Sequence, residues 1–357
     1  MEFRKGGSAM VKRLIDDAVK NGRRYAVVVG GMWEMECAVR IPAHFKLILD
    51  SCHLKMADDT FDNMFVNEHH DTPEGKTTAG TDRGISLVGR GNAIIDGGKY
   101  NGLSEQTQNK NGMPPVWKNN LLLFTNVDGF EIRNISFHNM RWWGLNFIYC
   151  ANGELTDIRL KADDTNIDPE GNVYHGLSLV NYYDMLVKQA DGIDIRQGCH
   201  HIFMENITGF AGDDLIAITA LDGRMEKCFA VEGLSKDICY IKIKNVEGEA
   251  LDSNVRLLNQ GGYCLHDVLI DGVNDISDQT TYLETHPLYG IRINDAHAMY
   301  GVRHATEDET YNIIIKNVRS RACYVMHLGG NKIKNFVCEN IVSFDGACLV
   351  EDKRLPE

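Results

Sequence analysis

The amino-acid sequence predicts an all-β fold, a parallel β-helix closed at its N-terminal end by one α-helix. Helical periodicity is confined to the start of the chain. The remainder consists of short β-branched runs separated by Gly, Asn and Asp, and a four-residue motif recurs at long spacing. No segment has the composition of a linker, so we expect residues 1–357 to form one domain.

The capping helix is predicted over residues 8–22. Apolar residues repeat at helical spacing between Met10 and Asn21, Ser8 is a candidate N-cap, and Gly22 ends the pattern. A β-helix leaves the strands of its terminal coil unpaired, and such edges invite aggregation. The helix is therefore expected to cover the open end of the solenoid.

The recurring motif has the form apolar, any residue, Asn/Asp/Gly, apolar, and it occurs seven times. Its third residues are Asn134, Asp157, Asn206, Asn245, Gly272, Asn317 and Asn340. Asn and Gly at this position suit a tight bend with positive φ, or a ladder of side chains between coils. The motif therefore predicts a bend that recurs at the same place in each coil.

The spacing of the motif predicts how the coils are counted. Between successive final residues the steps are 23, 49, 39, 27, 45 and 23 residues. We interpret steps of 23 to 27 as one coil, 45 and 49 as two, and 39 as one coil with an insertion. A unit of this length cannot bury its apolar face alone, whereas a stack of such units can. The leucine–asparagine pattern of leucine-rich repeats is absent, and a β-sandwich would show hairpin turns instead of a long period.

Charge and hydropathy exclude two classes of partner. The chain has 50 acidic and 37 basic side chains, a formal net charge of -13, and no basic run interleaved with aromatic residues. A nucleic-acid partner is therefore not expected. No segment approaches 18 uninterrupted apolar residues, so a membrane partner is not expected either.

The cysteines and the N-terminal residues indicate a compartment. Ten cysteines are scattered singly, with no Cys-x-x-Cys pair, which predicts free, buried thiols in a reducing compartment and no zinc site. No apolar stretch follows a basic start, so the expected location is cytoplasmic. That location would favour the cleavage of imported oligosaccharides in an exo mode.

The segment from Asp191 to Ile218 contains the candidate chemistry. Asp191 starts the run Asp-Gly-Ile-Asp-Ile, and Asp213 and Asp214 lie in Gly-Asp-Asp-Leu-Ile-Ala-Ile, one coil of 22 residues further on. Coils stack at about 4.8 Å, so the three carboxylates should form a cluster. Mutual repulsion should raise at least one of their pKa values.

Two carboxyl groups in opposite protonation states are what glycoside hydrolysis requires, one to protonate the leaving oxygen and one to activate water or attack the sugar. Two alternatives remain open at this point. The aspartates could cap turns or form a ladder between coils, or they could bind calcium, as carboxylates in β-helix lyases do.

These segments resemble the paired catalytic segments of the polygalacturonase family of glycoside hydrolases, family 28. The resemblance extends from about Met10 to Glu351. It implies a right-handed β-helix and hydrolysis with inversion of the anomeric centre. It also implies that Asp213 is the general acid, that Asp191 and Asp214 activate water, and that Arg292 grips the substrate near the cleaved bond.

The sequence departs from the family pattern at three places. Gln189 stands where the family has asparagine, and Asn294 stands where it has lysine. The glycine–histidine–glycine expected one coil after the aspartates has no counterpart, since that stretch reads Asp-Ser-Asn-Val-Arg and ends at Arg256. The residues expected for hydrolysis match the family pattern better than the residues expected for binding polygalacturonate. We therefore expect a different or shorter substrate.

Two further side chains are candidates for substrate binding. Trp143 could stack on a sugar ring, although alternation along a strand would turn only one of Trp142 and Trp143 outward. Arg256 could hold a carboxylate with two hydrogen bonds, or it could neutralise the aspartate cluster.

The functional prediction is a glycoside hydrolase that cleaves pectin-like or other plant-derived oligosaccharides, without a metal or other cofactor. The predicted site comprises Asp191, Asp213 and Asp214 as catalytic residues, and Arg292, Arg256, Gln189, Trp143 and Asn294 as substrate-binding residues. The alternatives are another β-helix carbohydrate-active enzyme, such as a polysaccharide lyase or a glycan transferase, and a non-catalytic glycan-binding protein. The oligomeric state is not predicted.

Overall fold

The computed structural model describes residues 2–98, 116–141, 143–162, 165–167, 172–175, 190–221, 226–280, 282–283, 286–298, 300 and 303–355. Within these residues, one α-helix, α1, spans Gly7–Lys20, and four short 3₁₀ helices span Glu74–Lys76, Thr78–Gly80, Val116–Lys118 and Glu226–Phe229. In chain order the strands are β1 (Tyr25–Val29), β2 (Met32–Met35), β3 (Val39–Ile41), β4 (Lys46–Asp50), β5 (His53–Met56), β6 (Phe65–Asn67), β7 (Asp82–Arg90), β8 (Ile94–Asp96), β9 (Asn120–His138), β10 (Trp143–Lys161), β11 (Thr165–Ile167), β12 (Val173–His175), β13 (Asp191–Ile195), β14 (His200–Ala211), β15 (Ile216–Ala220), β16 (Ile238–Ala250), β17 (Ser253–Asn259), β18 (Leu265–Asp275), β19 (Tyr289–Ile293), β20 (Thr310–Ser320), β21 (Tyr324–Leu328), β22 (Lys334–Ser343) and β23 (Cys348–Asp352).

These strands form the right-handed parallel β-helix that the sequence predicts. All of them except the antiparallel pair β11 and β12 belong to one continuous, parallel-paired sheet. The long strand β9 shows how the chain turns, because it pairs successively with β6, β7 and β8. We call the face that contains β3, β6, the first parts of β9 and β10, β13, β15, β17, β19, β21 and β23 the site face.

The core lies inside the coils, where apolar side chains stack in register. On the site face the inward column runs through Leu122, Leu145, Ile193, Ile216, Val255 and Ile291, all fully buried. Each aliphatic side chain buried in this way contributes about 1.5 to 3 kcal/mol. The repeated β-branched runs thus form a single interior that no coil could close alone.

The coil count differs from the prediction at two steps. Ile158 pairs directly with Ile207, and Val273 pairs directly with Val318. The steps of 49 and 45 residues are therefore one coil each, with an insertion, and the prediction of two coils was wrong. Loops that leave and rejoin the solenoid lengthen the sequence without adding a rung, so spacing alone overcounts coils.

The motif's third residue has the predicted role. All seven of these residues have φ between 51° and 90°, in the left-handed region. Their side chains also form ladders: Asn206 donates to Asp157 at 2.9 Å and Asn245 donates to Asn206 at 2.6 Å. Both parts of the prediction, the positive φ and the side-chain ladder, are confirmed.

The helix α1 covers the first coil, as predicted, and buries Val11, Ile15 and Ala18 against β1, β2 and β3. Its first residue is Gly7, with Gly6 as N-cap and no side-chain cap. Ser8 lies inside the helix, where its Oγ donates to the Cys37 carbonyl at 2.7 Å and accepts from the Glu36 amide at 2.9 Å. The N-cap prediction for Ser8 was wrong, because its hydroxyl joins the helix to the coil instead.

All ten cysteines are free, as predicted, but only Cys52, Cys150 and Cys199 are buried. The prediction of buried thiols was wrong for the other seven, which lie on partly or fully exposed segments.

Among the described residues, the one α-helix falls short of the length needed to cross a membrane.

Candidate active site

The aspartate cluster lies at the start of neighbouring strands on the site face. Asp191 is the first residue of β13, and the pairing of Ile193 with Ile216 sets Asp214 beside it in the next coil. The Asp214 amide donates to the Asp191 carboxylate at 3.1 Å. The Gly192 amide donates to the Asp214 carbonyl at 2.9 Å. The stacking of two coils therefore positions these carboxylates.

Gly192 permits this close stacking. A Cβ at residue 192 would meet the Leu215 carbonyl oxygen at 2.6 Å and the Leu160 side chain at 2.5 Å. A side chain there would push the two coils apart beside the cluster. The glycine that follows Asp191 in the sequence is thus required by packing, independently of catalysis.

The three carboxylates meet as the sequence predicts. Oxygens of Asp191, Asp213 and Asp214 all lie within 4.8 Å of one another. Asp191 is 8% exposed and Asp214 is 2% exposed, whereas Asp213 is partly exposed. Asp213 is therefore the member of the cluster that an incoming ligand reaches first.

The cluster holds protons more tightly than isolated carboxyl groups do. Burial, followed by the negative charges of Asp194, Asp213 and Asp214, raises the pKa of Asp191 well above its usual range. Burial also raises the pKa of Asp214, and the neighbouring Asp252 adds to the effect although Arg256 opposes it. The predicted rise in pKa is confirmed, and the cluster can hold both a protonated and an ionised carboxyl group.

Two arginines lie beside the cluster in adjacent coils. Arg256 on β17 pairs in register with Arg292 on β19. Arg256 contacts Asp214 at 3.4 Å and donates to both oxygens of Asp295 at 3.0 and 3.1 Å. Arg292 donates to both oxygens of Asp252 at 2.9 and 2.7 Å. It also contacts Asp295 at 2.6 Å.

The structure thus brings Arg256 and Arg292 to the cluster, and it shows which carboxylates of this chain each one binds. Arg256 neutralises aspartates, which is one of the two roles considered for it. Arg292 binds two carboxylates of this chain through Nη1 and Nη2. Their contacts with substrate remain a prediction.

Three other predicted binding residues have different surroundings. Asn294 is buried just after β19 with φ of 55°, and its Oδ1 accepts the Asn259 amide at 2.8 Å, so its side chain holds two coils together. Trp143 lies beside Asp191 but is only 6% exposed, with the Arg196 guanidinium 4.0 Å from its ring centroid and Trp117 at 5.3 Å. Gln189 and Trp142 lie outside the described residues.

Sequence reasoning missed three residues that complete the site. Asp252 and Asp295 hold the arginines, and the Ser253 hydroxyl donates to the Asp214 carboxylate. Asp252 precedes β17 and Ser253 begins it, at the height where Asp213 and Asp214 precede β15, since Val255 pairs with Ile216. Applying the coil spacing once more, from β15 to β17, would have found Asp252 and Ser253. Asp295 follows β19 on a loop, where no periodic signal exists.

A cation is the other ligand that three close carboxylates could hold. Asp214 already accepts hydrogen bonds from Ser253 and Arg256, and Asp191 accepts one from a backbone amide. A metal ion would have to compete with these donors. A second group, Glu68, His69 and Asp82, is also close. There the Asp82 carboxylate already binds Asn67 and both the amide and the ring of His69.

Known structures share this architecture. An exopolygalacturonase from Thermotoga maritima has a TM-score of 0.53 at 10% identity, covering 96% of this chain and 74% of that chain. A surface protein and adhesin of Streptococcus pneumoniae, PfbA, has a TM-score of 0.51 at 12% identity, covering 97% and 95%. A polygalacturonase from Erwinia carotovora ssp. carotovora has a TM-score of 0.49 at 12% identity, covering 98% and 96%. At these identities the likeness shows the fold alone.

No curated protein sequence matches the chain. The model of the family described as glycosyl hydrolases family 28 matches residues 38–235, more than half of the chain. The matched region includes Asp191, Asp213 and Asp214 and ends before Arg256 and Arg292. The chain belongs to glycosyl hydrolases family 28.

Proposed function

We propose that this chain hydrolyses glycosidic bonds in pectin-like or other plant-derived oligosaccharides, with the aspartate cluster as its catalytic centre. The observation that carries the proposal is the meeting of Asp191, Asp213 and Asp214 within 4.8 Å at the start of adjacent strands, inside the region that matches a glycoside hydrolase family. Three carboxylates this close are costly to fold, and acid–base chemistry accounts for them.

Asp213 is assigned as the general acid. It is the most exposed of the three, so the leaving oxygen of a bound sugar reaches it first. The proton that repulsion keeps on the cluster is shared among neighbouring oxygens and passes from Asp213 to that oxygen as the bond breaks. Asp191 and Asp214 then hold the attacking water and accept its proton.

Inversion at the anomeric carbon is part of the proposal and rests on the family resemblance. Carboxyl groups are about 6.5 to 9.5 Å apart in inverting glycosidases and about 5 to 5.5 Å apart in retaining ones. The carboxylate oxygens of this cluster lie within 4.8 Å of one another, which is nearer the retaining range, so inversion is proposed from the family resemblance and not from this spacing. Proton NMR of the first product anomer tests the point: an inverted anomer supports direct attack by water, and a retained anomer contradicts it.

The function is tested by following reducing-sugar release from a panel of pectic and other plant oligosaccharides, with and without chelator. Hydrolysis predicts new reducing ends, no unsaturated sugar at the new non-reducing ends, and equal rates with and without chelator. A lyase would produce an unsaturated, ultraviolet-absorbing sugar and lose activity with the chelator if it used calcium. Binding without cleavage of any panel member would contradict the proposal and favour a glycan-binding role.

The cytoplasmic location also remains a proposal. Ten free cysteines, four of them exposed, are consistent with a reducing compartment. Fractionation of producing cells tests it, and recovery of the protein from the medium would contradict it.

A further inference from the structure

The aspartate cluster and the two arginines form one connected network of charges. Oxygens of Asp191, Asp213 and Asp214 lie within 4.8 Å of one another, and Asp214 contacts Arg256 at 3.4 Å. The network continues through two more aspartates, Asp252 and Asp295, each of which binds both guanidinium groups. Asp252 lies 3.8 Å from Arg256 and 2.7 Å from Arg292. Asp295 lies 3.0 Å from Arg256 and 2.6 Å from Arg292. Three carboxyl groups, those of Asp214, Asp252 and Asp295, thus contact the two guanidinium groups, and Asp191 and Asp213 lie beside Asp214.

The hydrogen-bonding capacity of the arginines is already directed at this chain's own carboxylates. A uronate is recognised best when a guanidinium offers it two parallel N–H groups. Arg292 uses Nη1 on both oxygens of Asp252 and Nη2 on Asp295. The Nε atoms of Arg256 and Arg292 are buried, without a hydrogen-bond partner among the described residues. Neither arginine presents an open fork to a ligand.

The charge balance points the same way. If Asp191 and Asp214 both carry a proton, the network still contains three negative charges, on Asp213, Asp252 and Asp295, and only two positive charges, on Arg256 and Arg292. The next guanidinium along the site face, that of Arg196, is paired with Asp194 at 2.8 Å. Within the part of the chain that the structure describes, this network therefore has no excess positive charge to receive an anionic sugar.

We propose that the glycosyl unit at the cleaved bond is an uncharged sugar, a neutral hexose, deoxyhexose or pentose, and that a galacturonate is disfavoured there. This inference rests on the proposed function and names its substrate class. A carboxylate placed beside the network would have to displace an aspartate from an arginine or lie next to ionised carboxylates, and both are unfavourable.

The test compares oligogalacturonides with their methyl esters, which differ mainly in charge. We expect kcat/KM for the methyl ester to exceed that for the free acid by about tenfold or more, the ratio that about 1.4 kcal/mol produces. Higher salt should narrow the difference, because it screens the repulsion. Equal or faster cleavage of the free acid would overturn the inference and leave the proposed hydrolase intact.

A variant links the preference to the network. Asp252→Asn removes one of the two carboxylates that hold Arg292, so it should increase the relative acceptance of the free acid, seen as a smaller ratio between the two substrates. Asp271→Asn removes a carboxylate from a different face of the solenoid and serves as the matched control, with an unchanged ratio. An unchanged ratio in Asp252→Asn would overturn the assignment to this network.

Binding separates this inference from the proposed function. Calorimetric titration of Asp213→Asn with both members of the pair requires no turnover. Tighter binding of the methyl ester supports the inference even if the wild type cleaves neither compound. Equal binding, no binding of either, or tighter binding of the free acid overturns it.

Discussion

Glu249 is a buried carboxyl group outside the catalytic cluster, and it makes the stability of the fold depend on pH. It lies near the end of β16, where its side chain accepts a hydrogen bond from Thr280. Burial raises its pKa to about 7, with Asp275 adding to the rise and Arg321 opposing it. Its other oxygen, Oε2, is buried without a hydrogen-bond partner among the described residues. The folded chain therefore binds a proton here more tightly than the unfolded chain does.

The raised pKa predicts that Glu249→Gln stabilises the protein at high pH. The stability that the protonated carboxyl group contributes is fully present below pH 4.5 and is lost as the pH rises to about 7. Glutamine stays neutral, so the variant should gain about 2 to 3 kcal/mol in free energy of unfolding at pH 8 and almost nothing at pH 4.5. Urea denaturation at the two pH values measures the difference.

Glu247→Gln is the matched control, because Glu247 is exposed on the same strand. It should change the free energy of unfolding by less than about 0.5 kcal/mol at either pH. If Glu249→Gln were no more stable than wild type at pH 8, burial would not raise the pKa of this carboxyl group in the folded chain.

The bend after each repeated motif stabilises the solenoid through both backbone and side chain. Asn317 has φ of 57°, donates to Asp271 at 2.7 Å and accepts from Asn340 at 2.7 Å. The left-handed conformation is unfavourable by about 1 to 2 kcal/mol for most residues and by almost nothing for glycine. The ladder bonds add about 1 kcal/mol.

Two substitutions of Asn317 separate these contributions. Asn317→Ala loses both and should cost about 2 to 3 kcal/mol, whereas Asn317→Gly keeps the bend and should cost about 1 kcal/mol. The midpoint of urea unfolding for the two variants measures the difference. A glycine variant as unstable as the alanine variant would show that the ladder, and not positive φ, explains asparagine at this position.

The strands and bends were predictable because they repeat. The motif ending at Ile158 and the motif ending at Ile207 pair directly, and their left-handed third residues are both Asn or Asp. What lies between them was counted wrongly, since an insertion has no period and resembles an extra coil. Periodic packing leaves a signal in the sequence, and a loop that makes its own local contacts does not.

At the level of the whole solenoid, α1 closes the N-terminal end. Val11 is fully buried against the first coil, while Val19 on the same helix is 47% exposed. The cap packs through this apolar face, and the contacts of Ser8 with Cys37 and Glu36 also join the helix to the coil. Losing that face would expose the outer edges of β1 and β3.

Val11→Asp should therefore destabilise the protein by about 3 kcal/mol or more and promote self-association, because an unpaired charge in the core is unfavourable. Val19→Asp makes the same change on the exposed face and should behave as wild type. Size-exclusion chromatography together with urea unfolding measures both effects. Indistinguishable behaviour of the two variants would contradict a capping role for α1.

The site was predictable in part. Asp191, Asp213 and Asp214 met because one coil separates them, and Arg256 and Arg292 pair for the same reason. Asp295 comes from a loop, so no spacing indicated that it binds both arginines. The burial of Trp143 beneath Arg196 is likewise a matter of tertiary packing, which residue type does not reveal.

The central claim is that Asp213 protonates the leaving sugar. The most direct test compares kcat/KM for wild type, Asp213→Asn and Asp271→Asn on the best substrate of the panel. The amide that Asp271→Asn introduces would still offer an oxygen to Asn317, so this control should stay within about twofold of wild type. Loss of a general acid predicts a fall of about 10² to 10⁴ for Asp213→Asn. Retention of wild-type activity by Asp213→Asn would contradict the account.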